Sequence, residues 1–231
     1  MMNNVYIYTH MGLGDHIIAN GMVRTIAKKY DRAFLFCKPH NFSNVSFMYR
    51  DLSNLKIIVM DDLGVQSFMT MNPHNNYIIA GHAPFWKILN SGHNKLKIDE
   101  IFYRLAGVPL ENKWKEFFIQ RDLEKEKSAF TKLGLSSGEK FIFVHDDTNR
   151  KITKKLPNIK IVRPSDRDIS IFDFLYTIEQ AEEIHCINSS FFCLIDCIGI
   201  KKENMYLHEY VRKDLNDDAT PILGSNWIIL K

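Results

Sequence analysis

The sequence predicts an α/β protein made of two compact halves, each a parallel β-sheet covered by helices. Three observations predict it. Short apolar runs alternate with helical patterns along the whole chain. That alternation is interrupted by a charged stretch near residues 111–121. And 231 residues suffice for one large domain or two small ones. With 45% hydrophobic and 25% charged residues the composition is globular. A formal charge of +3 is too small for wholesale nucleic-acid binding.

In the first half the expected strands are "VYIY" (5–8), "AFLF" (33–36), "KIIV" (56–59) and "YIIA" (77–80), with helices at 15–30, 43–51, 62–70 and 98–106. Pro109 closes the last of these. "DLEKEKSAFTKLG" reads as a further helix, with Asp122 as its N-cap and Gly134 just past its end. A buried strand "FIFV" (141–144) opens the second half, followed by a strand at 158–162 and a helix at 170–183. Then come a strand at 184–187, the helix "SFFCLIDCIG", a strand at 204–208 and the apolar run "NWIIL". The boundary is placed between 1–115 and 116–231. No repeat is visible at the 20–50 residue scale.

Cys37, Cys186, Cys193 and Cys197 form no C-x-x-C pair, so they read as core thiols of a reduced, cytoplasmic protein rather than a zinc site. No run approaches the ~18 apolar residues of a membrane span, and no apolar signal peptide opens the chain.

The segment with most chemistry is "HMGLGDHIIANGMVR", directly after the first strand. A dinucleotide fingerprint would need G-x-G-x-x-G; Gly12 and Gly14 fit, but Ile17 stands at the third position. Asp15 would also face the pyrophosphate, and two like charges ~4 Å apart repel by roughly 4 kcal/mol at an effective dielectric of 20. Two readings of Asp15 remain. It caps the following helix, or it is a carboxylate at the carboxyl end of a strand, where open α/β sheets bind ligands. A carboxylate there can take the proton of an attacking hydroxyl, worth roughly 10²- to 10⁴-fold in rate.

The strand–small residue–Gly-Asp–helix opening is similar to that of the heptosyltransferase-like glycosyltransferases. "IDEIFYRLAGVPLENK" resembles the last N-domain segment of that family, and "FFIQRDLEKEKSAFTKLGL…EKFIFVH" its crossover helix and first donor-domain strand. "SIFDFLYTIEQAEEIHCINSSFFCLIDCIG" resembles the family's helix, strand, D-S-G-x-x-H-L-A and helix, with Asn188, Ser189 and Ser190 at the D-S-G positions. The resemblance implies the GT-B architecture, two Rossmann-like parallel-sheet domains facing a cleft that holds the active site. It implies a nucleotide-sugar donor and a glycan or glycolipid acceptor, with no other cofactor. Asp15 would be the base, and the first domain would serve the acceptor.

On that reading Gly12, Gly14, His16 and His82 shape the acceptor side, the last beside Trp86; His10 also flanks the loop. For His82 and Trp86 the alternative is a packed loop, and for His10 and His16 local hydrogen bonding. On the donor side, Ser189 and Ser190 precede a helix whose free N–H groups form an anion site, the alternative being that either serine is a plain N-cap. "HDDTNRKITKK" adds His145, Asp147 and Arg150, the last able to grip phosphate bidentately. Asp146 and Asp147 either bind sugar hydroxyls or hold Arg150 in place. Lys151, Lys154 and Lys155 read mainly as solvated charge. Asn188 and His208, with Tyr210, are placed near the nucleotide. Asp166 and Asp168 have metal-motif spacing but follow Pro164 and Ser165 rather than a strand, and a turn is the simpler account, so no metal is expected. Peripheral contact with a membrane surface stays open. The function expected is inverting, metal-independent sugar transfer; the rivals are a non-catalytic nucleotide- or sugar-binding module and a sugar-nucleotide epimerase or hydrolase.

Overall fold

The structure, a computed structural model, describes residues 3–90, 96–164, 169–211 and 220–231. The chain divides into two compact units, Met1–Gln120 with Asp217–Ile222, and Arg121–Asn216 with Leu223–Lys231.

The first unit is built on strands β1 (Asn4–Tyr8), β2 (Arg32–Cys37), β3 (Leu55–Val59) and β4 (Tyr77–Ile79). They pair in the order β3-β2-β1-β4, every pair parallel. Helices α1 (Leu13–Ile18), α2 (Asn20–Ala27), α3 (Phe42–Met48), α4 (Asp62–Met71), α5 (His82–Leu89), α6 (Ile98–Leu105) and α7 (Asn112–Lys115) accompany it. Val5, Ile7, Ala33 and Leu35 on one face are fully buried, while Tyr6 and Phe34 on the other are partly buried and stack at 4.7 Å. Apolar residues on both faces are why these strands read as continuous apolar runs rather than alternating ones.

The second unit carries β5 (Phe141–His145), β6 (Lys160–Val162), β7 (Glu183–Cys186), β8 (Met205–His208) and β9 (Ile228–Leu230), ordered β6-β5-β7-β8-β9 and again all parallel. Its helices are α8 (Leu123–Lys132), α9 (Leu175–Gln180) and α10 (Ser190–Ile198). Asp122 caps α8 by accepting the Lys125 N–H at 3.2 Å, and Gly134 beyond its end has φ +68°. Both follow the sequence reading.

Three expectations are corrected. The single helix of 15–30 is two helices, because the Tyr103 hydroxyl inserts into the ladder. It accepts the Met22 N–H and donates to the Ile18 carbonyl, both at 3.1 Å, the two groups that would otherwise bond each other. The helix at 170–183 begins as a 3₁₀ turn, Ile171–Phe174, and α9 ends at Gln180. "HAPFW", read as loop, is the start of α5.

Residues 220–222 belong with the first unit through a buried knot. Asp99 and Lys113, both without exposure, pair at 2.8 Å. Asp99 accepts the Ile222 N–H, and Lys113 donates to the Ile222 carbonyl at 2.6 Å. A buried ion pair is tolerable only when its remaining polar positions are filled, and Ile222 fills them here. The four cysteines are buried, and none forms a disulfide. No helix among the described residues is long and apolar enough to cross a membrane.

Candidate active site

In both sheets the chain leaves the first strand to one side and later returns to pair on the other. That reversal leaves a crevice at the carboxyl ends, between β1 and β4 in one unit and between β5 and β7 in the other. The residues singled out from the sequence lie largely at these two places.

In the first unit, Gly12 is the N-cap of α1 and Asp15 its third residue, so Asp15 is not the cap. Its carboxylate instead folds back onto the Gly12 backbone N–H, the return half of a capping box. Gly12 has φ −74°, a value any residue adopts, so conformation does not require glycine there. Space does: a β-carbon on Gly12 would stand 2.7 Å from Asp15 Oδ2. Gly12→Ala is therefore expected to keep the fold while displacing the carboxylate. If Asp15 is the base of the function proposed below, turnover should fall by about 10²-fold with the melting temperature nearly unchanged, read by steady-state kinetics beside a thermal melt. Gly14 is the second residue of α1 and partly exposed.

Burial pushes the Asp15 carboxyl up to about 6, against the opposing pull of the Gly12 N–H and of the Lys38 charge. The group is thus poised to change protonation just below neutral pH. His16, next along, is fully buried, and neither ring nitrogen has a hydrogen-bond partner among the described residues. Burial holds it down at about 4. It lies beneath the loop as a neutral packing group rather than on the loop's surface.

Around Asp15 the other strand ends supply charge. Lys38 follows β2 and pairs with Asp62, at the start of α4 after β3, at 2.7 Å. Tyr8, the last residue of β1, donates its hydroxyl to Asp62 at 3.1 Å. His82 lies 3.4 Å from the same carboxylate, with Nε2 2.9 Å from the Thr9 carbonyl, and its ring stacks on Tyr8 at 4.0 Å. His82 has φ +55°, a left-handed value uncommon for a non-glycine residue. The preceding Gly81 has no room for a side chain, since a β-carbon there would lie 2.5 Å from the His10 nitrogen. This tight crossing of the β1 and β4 exits brings His82 to Asp62. Tyr8, Lys38 and Asp62 were not singled out from the sequence. Their common signal is position, each being at or just beyond the carboxyl end of a strand.

In the second unit, His145 ends β5 and its Nδ1 lies 2.9 Å from the hydroxyl of Ser189, the N-cap of α10. Burial holds His145 down at about 4, so the ring is neutral at neutral pH. Arg150 is gripped by Asp147 through Nε at 2.7 Å and through Nη2, and its Nη1 reaches the Asn188 carbonyl at 3.4 Å. Asp147 also accepts the N–H groups of Asn149 and Arg150, so it sets both the turn and the guanidinium. Ser190 opens α10 and is partly exposed. His145, Asp147, Arg150, Asn188 and Ser189 are thereby brought together. His208 is different: it is 1% exposed, with one ring nitrogen 3.0 Å from His185 and the other 3.1 Å from the Tyr210 hydroxyl. Both nitrogens are engaged inside the unit, so it reaches a ligand only through Tyr210. Asp166 and Asp168 lie outside the described residues.

No family model matches the chain, and no curated protein matches it. Solved structures do. The crystal structure of the glycosyl transferase family 9 protein from Veillonella parvula is 10% identical, covering 99% of this chain and 85% of that one, at a TM-score of 0.61. The E. coli ADP-heptose LPS heptosyltransferase II is 11% identical, covering 98% of this chain and 90% of that one, at 0.57. The chain accordingly has the two-unit, parallel-sheet α/β fold of heptosyltransferase-like GT-B glycosyltransferases.

Proposed function

We propose that the protein is an inverting glycosyltransferase that moves a sugar from a nucleotide-sugar donor onto a hydroxyl of a glycan or glycolipid, without a metal. The observation that carries the reading is Asp15, a desolvated carboxylate with its pKa pushed up to about 6, held at the switch point of the first sheet. An acceptor hydroxyl beside it loses its proton to the carboxylate as the oxygen attacks the anomeric carbon. The bond from that carbon to the donor's phosphate oxygen breaks on the opposite face, which inverts the centre. Gly12, Gly14 and His82 shape the acceptor's surroundings, with His16 packed below them.

The leaving nucleoside diphosphate carries growing negative charge. In this reading it is met by the free N–H groups at the start of α10, by Ser189 and Ser190, and by the Arg150 guanidinium. Asp147 holds that guanidinium beside the Asn188 carbonyl, and His145 supports the Ser189 hydroxyl. In this reading the α10 N–H groups and the Arg150 guanidinium, its charge partly offset by Asp147, supply the positive potential that a divalent cation provides elsewhere.

The experiment is a panel of nucleotide sugars assayed for nucleoside diphosphate release with and without glycan acceptors. Release that depends on an acceptor supports transfer. Release without one identifies a hydrolase, and tight donor binding with no turnover identifies a binding module.

A further inference from the structure

The interior of the second sheet holds a continuous polar chain that the chemistry above does not use. His185 on β7 is 5% exposed and His208 on the neighbouring β8 is 1% exposed. The Glu183 carboxylate lies 3.0 Å from His185 Nε2, and His185 Nδ1 lies 3.0 Å from His208 Nε2. His208 Nδ1 lies 3.1 Å from the hydroxyl of Tyr210, in the turn after β8. That hydroxyl oxygen accepts the backbone N–H groups of Thr153 and Lys154, each at 3.2 Å.

One proton arrangement satisfies every link. A hydroxyl has one proton and two acceptor positions. Both positions on Tyr210 are taken by backbone donors, so its proton points to His208 Nδ1. His208 then carries its own proton on Nε2 and donates it to His185 Nδ1. His185 likewise carries its proton on Nε2 and donates it to Glu183. Burial holds His208 down at about 4 and lowers His185 as well, so both rings stay neutral and the pattern persists at neutral pH.

The far end of this chain is the loop that bears Arg150. Residues 146–159 contain no helix or strand; Asp147 and Arg150 bond each other's backbone at 3.2 and 3.3 Å, and side chains add further anchors. Asp146 accepts the Ile152 N–H at 3.2 Å and Asp147 holds the first turn. Beyond Ile152, Tyr210 takes over, with the Lys154 ammonium 5.3 Å from its ring centre.

We propose that Tyr210 is a positioning residue, latching the 147–154 loop in the form that grips the donor's diphosphate, and that the His208–His185–Glu183 relay aims its hydroxyl. The latch is a statement about this fold; its effect on donor binding rests on the function proposed above. The sequence reading placed His208 and Tyr210 near the nucleotide and did not single out His185. Their linkage depends on β7 and β8 lying side by side.

The test uses the full chain and its Tyr210→Phe variant, which keeps the ring and removes the hydroxyl. Nitrogen-15 spectra of the wild-type imidazoles should show both rings protonated on Nε2, and a proton on Nδ1 of either ring overturns the relay. Amide exchange at Thr153 and Lys154 should quicken by about tenfold in the variant, and unchanged exchange overturns the latch. Binding of ADP and UDP should weaken by about tenfold in the variant while the acceptor KM holds. Quickened exchange with unchanged nucleotide affinity overturns the positioning role. If the wild type binds neither nucleotide, the donor-side reading fails, and the exchange result still decides the latch.

Discussion

Asp15→Asn is expected to lower sugar transfer by roughly 10²- to 10⁴-fold while making the protein more stable at neutral pH. The rate falls because an amide cannot take the hydroxyl's proton, although it keeps an oxygen facing the Gly12 N–H. The stability change follows from linkage. In the folded protein the carboxyl titrates at about 6, against 3.8 as a reference. Between those values the folded state holds a proton that the unfolded chain has released. The stability this group contributes is therefore complete below pH 3.8 and lost as pH rises through about 6. Above that, an ionised carboxylate is kept where water cannot solvate it fully, and its removal should stabilise by about 1–2 kcal/mol. Urea midpoints at pH 7.5 and pH 4 check this, since the gain should appear at the first and shrink at the second. In the wild type, kcat/KM should rise with pH through about 6. A variant that retained that rise would show that another group is the base.

Gly21→Ala is expected to have the largest effect on folding. A β-carbon on Gly21 would lie 1.9 Å from the Asn112 carbonyl oxygen and 2.9 Å from its carbonyl carbon. Both are backbone atoms, so no side chain can swing away, and α2 and the 112–118 segment must separate. Separation breaks the contacts this approach makes. The Asn112 amide donates to Thr25 Oγ1 at 3.0 Å, and Asn20 accepts the Phe118 N–H at 3.0 Å and donates to its carbonyl at 3.3 Å. Overpacking a core commonly costs 1–3 kcal/mol; a clash with backbone should cost more than about 3 kcal/mol. In a chain of this size that lowers the melting temperature by roughly 6–12 °C. A melt within about 2 °C of the wild type would mean that the two segments slide past each other freely.

The sequence revealed most of the strands because each is a short apolar run flanked by polar turns, a local property. The Asp122 cap and the glycine at 134 were legible for the same reason. What escaped it depends on residues far apart in the chain. The break between α1 and α2 is made by Tyr103, about eighty positions away, and nothing in residues 15–30 announces it. Asp15 looked like a cap because aspartate before a helix commonly is one. Its place inside the first turn is set by where Leu13 begins the helix. His82 carries a positive φ because Gly81 presses against His10, a contact between two strand exits. In the second unit, Arg150, Asp147 and Ser189 were singled out from residue type and strand ends and lie together, but the burial of His208 was not foreseen, since a histidine ending a strand reads alike whether it faces solvent or sheet.

The Asp99–Lys113–Ile222 knot has a consequence for dissecting the protein. A gene cut after codon 120 would encode every strand of the first sheet yet omit the three-residue return that covers the ion pair. The fragment would carry two opposite charges sealed against water on all sides but one, with an amide and a carbonyl missing from that side. Fission into autonomous halves therefore requires either a peptide supplied in trans or the replacement of both charges together by apolar side chains.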